Sequence, residues 1–143
     1  MLDQPNIKPD VRFSIVKTYI GLVNWTEGFF SDGWSNVDST LSYENVVSIG
    51  LRLYLPDSEF LEDKNLDVLH NEILCKQVSL KRGRQTEFTI NIPKEAETAG
   101  ELRFLTNSKE FTPSGSSDIR NLGFIPVEIN IDNSGWQPMK KFT

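Results

Sequence analysis

The chain has 143 residues, of which 38% are hydrophobic and 24% charged, with seven prolines and nine glycines spread along it. That is about one domain's worth of sequence, enough to bury a core without disulfide staples and too evenly mixed for disorder outside the termini. Fifteen basic against twenty acidic residues leave a net charge of −5, which repels phosphate backbones and anionic lipid and sets nucleic acid aside as a partner.

From Val11 to Val23, residues Val11, Phe13, Ile15 and Tyr19 alternate with Arg12, Ser14, Val16 and Thr18, a strand-like pattern rich in β-branched and aromatic side chains. The stretch NWTEGFFSDGWSNVD that follows reads as a loop, because glycine- and aspartate-centred turns separate Trp25, Phe29, Phe30 and Trp34. Ser39 to Tyr43 reads as a short strand. Val46 to Leu55 is a clear one, with Val47, Ile49, Leu51, Leu53 and Leu55 on one face and Pro56 ending it.

Asp57 to Asp67 is acidic and irregular, a surface bridge with at most one helical turn around Phe60 and Leu61. Val68 to Leu80 carries Leu69, Ile73, Cys75 and Val78 in strand-like style, and His70-Asn71-Glu72 is a candidate turn inside it. A hairpin at Lys81-Arg82-Gly83-Arg84 leads to Thr86 to Ile92, where Phe88, Ile90 and Ile92 share a face. KEAETAG permits a turn or two of helix before a strand from Glu101 to Thr106, with Leu102 and Phe104 inward. Leu122 to Ile131 closes the series with Phe124, Val127, Ile129 and Ile131 facing the core, and Pro126 marks a bulge or an edge position.

Seven or eight short strands without a crossover helix predict an all-β fold, an antiparallel β-sandwich of jelly-roll-like form. The domain is expected over residues 11–132, with tails at 1–10 and 133–143, and Trp136 is a candidate to dock from the second tail.

The single cysteine, Cys75, excludes an intramolecular disulfide, and its setting in EILCKQVSL reads as a buried thiol. His70 is the only histidine, so a hydrolytic triad or dyad would have to pass through it; in a turn it reads as structural. One histidine and one cysteine cannot hold zinc. No Walker loop and no dinucleotide fingerprint occur. Carboxylate pairs of the glycosidase kind are defined by separation in space, and no residue spacing here marks one. The expectation is therefore a chain that does not catalyse and needs no cofactor. Calcium is the better use for loop acids such as Asp32 with Asp38, or Asp57, Glu59, Glu62 and Asp63, yet no spaced calcium motif is present, so these read as solvated.

The opening MLDQPNIKPD lacks the basic and apolar stretches of a secretory leader, and no segment approaches the roughly 18 apolar residues of a membrane span. A cytoplasmic protein is expected.

Two features carry function candidates. The rings of Trp25, Phe29 and Trp34 could stack on apolar sugar faces while Asp32 and Asn36 bond hydroxyls; the alternative is that the tryptophans plug an open end of the sandwich. In SSDIRNLG, Asp118 and Arg120 are two apart and point the same way if extended, either pinning a loop or touching a ligand.

The order of Gly33-Trp34-Ser35, Asn71-Glu72, Lys81-Arg82-Gly83, Ile92-Pro93, and Pro113 followed by Asp118-Ile119-Arg120-Asn121-Leu122-Gly123 resembles a known module. It is the small β-sandwich found beside glycosyltransferase domains in bacterial capsule, O-antigen and other surface-polysaccharide synthesis proteins. The resemblance spans roughly Ile20 to Asp132 and is most specific in its final motif. Here Asn71-Glu72 stands where that module carries Asn-Gly, and no arginine precedes Trp34. The resemblance implies a carbohydrate-binding-like accessory module without catalytic residues, with a glycan or a glycosyltransferase as partner. Its contacts would be Trp25, Phe29, Asp32, Trp34 and Asn36, supported by Asp118, Arg120 and Gly123. The rival is a scaffold or homo-oligomerisation domain that docks a partner enzyme, or a phage attachment component. An exposed apolar patch on strand residues, away from the aromatic stretch, would favour the rival.

Overall fold

The computed structural model describes residues 16–17, 22–30, 33–57, 62–93, 99–106 and 122–138. Among them the strands are β1 (Val16–Lys17), β2 (Leu22–Phe29), β3 (Ser35–Glu44), β4 (Ser48–Leu55) and β5 (Lys64–His70). They continue with β6 (Ile73–Leu80), β7 (Arg84–Asn91), β8 (Ala99–Thr106), β9 (Ile125–Ile131) and β10 (Trp136–Pro138). One sheet runs β1-β2-β3-β8-β5-β6 and the other β10-β9-β4-β7, with every pairing antiparallel. The expected β-sandwich is what forms, and the order β3-β8-β5-β6 against β9-β4-β7 is that of a jelly roll, with β10 beside β9.

The core follows from period-two alternation. Ile49, Leu51, Leu53 and Leu55 of β4, Leu102 and Phe104 of β8, and Phe88 and Ile90 of β7 all turn inward and are buried. Pro126 sits at a bulge in β9: Arg52 opposes Glu128 and Leu53 opposes Pro126, so Val127 is the extra residue. Val127 is accordingly half-buried, outside the core expected for it.

Four expectations are corrected. The aromatic stretch is no loop: β2 continues through Phe29 and β3 starts at Ser35. Its strand pattern is masked by register shifts on either side of Glu27 and by Gly28, whose φ is +93° and whose added Cβ would lie 2.5 Å from the carbonyl oxygen of Asp38. β5 begins at Lys64, inside the segment read as irregular. β6 carries a bulge, since Val68 opposes Lys76 but Leu69 opposes Leu74, leaving Cys75 unmatched. The bulge turns Leu74 to the outer face beside Leu69 and leaves Ile73 beside His70 at the open end; Ile73, Leu74 and Cys75 are all exposed, which corrects the buried thiol expected at Cys75. Last, the sheet extends to Pro138, past the expected boundary at Asp132, because β10 pairs with β9. Phe60, Leu61 and most of KEAETAG, where turns of helix are expected, lie outside the described residues.

Leu51 is wholly buried, so Leu51→Ala is expected to lower unfolding free energy by about 2–5 kcal/mol, whereas Val47→Ala at an exposed site stays within about 0.5 kcal/mol. Urea denaturation of the two variants beside wild type checks the contrast.

Candidate functional site

Trp25 and Phe29 are 2% and 0% exposed. Trp25 packs edge-on to Phe29 at 4.5 Å between centroids and lies 5.2 Å from Phe104 and 6.4 Å from Phe124. Both rings are therefore core, and their expected role in stacking on a ligand is corrected. Trp34 is half-buried against the same core. A tight connection presents it: Gly33 donates to the carbonyl of Phe30, and Phe30 donates to the carbonyl of Trp34 at 2.9 Å, with Gly33 at φ +100°.

Asn36 bridges to Leu122, and the N–H of Ser35 donates to the carbonyl of Phe124 at 2.7 Å. The Ser35 hydroxyl accepts from the N–H of Phe124 at 2.8 Å. Gly123 lies so close to Ser35 and Asn36 that any Cβ would overlap them. The aromatic stretch and the close of the final motif, far apart in sequence, thus meet at one end of the sandwich. Asp32, Asp118 and Arg120 lie outside the described residues.

The opposite end is built by the β3–β4 connection, the β5–β6 turn and the start of β8. Here Asn71 donates through its N–H to the carbonyl of Glu101 and accepts from the N–H of Glu101 at its Oδ1, each at 3.0 Å. The Tyr43 hydroxyl shares a 2.5 Å hydrogen bond with His70 Nε2, and the rings stack. Ile92 donates to the carbonyl of Val47 at the same end. The large hydrophobic side chains that stay exposed here are Val47 at 66%, Ile73 at 73% and Leu74 at 51%. Cys75 follows them; it is exposed as a residue, and partial desolvation of its sulfur pushes the thiol up despite Lys76 nearby.

Two arginines on the outer sheet faces were not singled out from sequence. On β8, Arg103 grips both oxygens of Asp38, at 2.9 and 2.6 Å, and reaches Glu72 at 3.0 Å. On β4, Arg52 bonds Glu87 and Glu128, each at 2.8 Å and each its cross-strand neighbour, and lies 3.9 Å from the centre of the Trp136 ring. Hydrogen bonds to these carboxylates hold both guanidinium groups charged, above their ordinary range. The available signal was a lone arginine at an outward position of a strongly alternating strand.

No group of three His, Cys, Asp or Glu among the described residues could hold a metal ion. No helix among them is long and apolar enough to cross a membrane.

Neither a family model nor a curated protein matches the sequence. Among solved structures, the secreted serine protease VesC from Vibrio cholerae is similar at 19% identity and a TM-score of 0.41, over 82% of this chain and 22% of that one. The expectation that this chain does not catalyse stands beside a likeness to an enzyme and is not carried further. At this similarity, and over about a fifth of the protease's length, the likeness assigns this chain neither an activity nor a substrate.

Burial pushes the Tyr43 phenol up, more than its hydrogen bond with Asn71 lowers it. A raised pKa in the folded state adds stability that is fully present below the unfolded value near 10 and is lost as pH rises through the folded value. Thermal melts across that alkaline range are expected to fall for wild type and to flatten for Tyr43→Phe.

Proposed function

We propose that the chain is a docking module that packs its Asn71 end against a second copy of itself. The observation that carries this reading is the placement of Val47, Ile73 and Leu74, each more than half exposed, at one end of the sandwich while the aromatic stretch is spent on the core. Self-pairing is supported by charge. A chain of net −5 repels its own copy over most of its surface, but Ile73–Leu80 contains one lysine and no acid.

Contact is made by side chains. The bulge at Cys75 and Lys76, which shares the face of buried Val68, both oppose extension of the β6 ladder into a neighbouring sheet.

Light scattering over a concentration series is expected to climb from the monomer mass toward twice that mass for wild type. Ile73→Asp with Leu74→Asp is expected to hold the monomer mass while keeping the wild-type melting temperature. A wild type that stays monomeric throughout overturns the reading.

Glycan contact at the other end is a second reading, supported by the half-buried Trp34 and by its neighbour Asn36, which meets Leu122 and Gly123. In that case the chain works beside a glycosyltransferase on a bacterial surface polysaccharide. Titration calorimetry with neutral and acidic polysaccharides would then give a heat that Trp34→Ala abolishes; no heat from wild type ends this reading.

A further inference from the structure

The β5–β6 turn is held in a conformation its own sequence disfavours. Asn71 and Glu72 have φ of +46° and +72°. This is the pair of left-handed residues that a two-residue hairpin turn requires, and glycine suits the second place. Asparagine tolerates that region, but the Cβ of a glutamate crowds the carbonyl oxygen that follows it there. An external restraint must therefore offset the cost.

Arg103 supplies it. Its Nη1 donates to Glu72 at 3.0 Å, while its Nε and Nη2 are fixed on Asp38 at 2.9 and 2.6 Å. Asp38 lies on β3 and Arg103 on β8, so the bridge ties the turn to two interior strands of the sheet. Ile73 and Leu74 follow Glu72 directly, and their presentation depends on where the turn is held.

The geometry points to the Asp38–Arg103–Glu72 bridge as an ionic latch that orders the apolar docking turn and places association under the control of ionic strength. This rests on the docking reading above, although the ordering of the turn does not. The side chains of Glu72, Asp38 and Arg103 are 66%, 43% and 37% exposed, so dissolved salt reaches all three and screens the bridge. Apolar contact between acidic copies would by itself tighten in salt, as repulsion is screened. The latch opposes that trend, and Glu72→Gln removes the opposition.

The test is amide hydrogen exchange on dilute, monomeric full-length protein, wild type beside Glu72→Gln and Glu72→Gly, at low and high sodium chloride. Glu72→Gln keeps the strained φ and loses the charge, so its amides at 71–74 are expected to exchange about threefold faster than wild type at low salt. High salt brings wild type to the Glu72→Gln rate and leaves that variant unchanged. Glu72→Gly creates an Asn-Gly turn that needs no latch and keeps its protection at both salts. Equal rates for wild type and Glu72→Gln at low salt overturn the latch. Light scattering on the same proteins reads the second half: weaker self-association of Glu72→Gln at low salt supports ionic control, and an unchanged dissociation constant overturns it. If wild type never associates, the docking reading fails alone, and the exchange rates still decide whether the turn is latched.

Discussion

The sandwich depends on how Trp25 is buried. Phe29 on its own strand, Phe104 on β8 and Phe124 just before β9 surround the indole, so one sheet and the segment leading into the other close on one ring. Its Nε1 is buried without a hydrogen-bond partner among the described residues, a cost of about 1–3 kcal/mol. Burying an indole of about 200 Å² offsets this with roughly 5 kcal/mol at 25 cal/mol per Å². Burial wins, and the ring is held by shape alone. The same packing needs Gly28 and Gly123, since a side chain at either would push against β3.

Because aromatic volume is spent at that end, the other end is closed by polar means. Tyr43 with His70, and Asn71 with Glu101, tie β3, β5 and β8 together through hydrogen bonds. The outer faces use charge in the same economical way. Exposed ion pairs are worth only about 0.2–1 kcal/mol each, but Arg52 lies directly between Glu87 and Glu128, so a slip of either neighbour by one residue would send its carboxylate to the opposite face. Register is what these pairs specify, and Trp136 over Gly50 and Arg52 adds β10 to the same arrangement.

Much of this was legible in the chain. Ile49 to Leu55, Phe88 to Ile92 and Leu102 with Phe104 alternate cleanly, because each of these strands lays one face on the core and turns the other outward. What was hidden is where a bulge interrupts the period. Trp25 and Phe29 are both inward, but the polar pair Thr26-Glu27 and Gly28 between them break the alternation, which reads as turns until the shifts around Glu27 are known. Lys64, Leu66 and Val68 do alternate inward, but a lysine at the first place disguises the strand; burial lowers that ammonium's pKa, and Glu62 only partly opposes it. The candidate site suffered most. Its aromatic members were chosen by composition, and composition cannot separate a ring that fills a core from one that faces solvent.

The bulge at Cys75 is the same kind of interruption with the opposite consequence. An unbroken β6 would have paired Leu69 with Cys75 and placed Leu74 beside His70, on the side facing the core. One extra residue moves Leu74 to the outer face beside Leu69 and leaves Ile73 at the open end beside His70. It also breaks the ladder at the free edge of the sheet, where an uninterrupted apolar strand would recruit any extended chain. A single insertion thus adds Leu74 to the exposed apolar residues and withholds the backbone edge beside it. Binding at such a surface has to be read from side-chain shape, which is selective, and a turn held in one conformation is what gives that shape a fixed form.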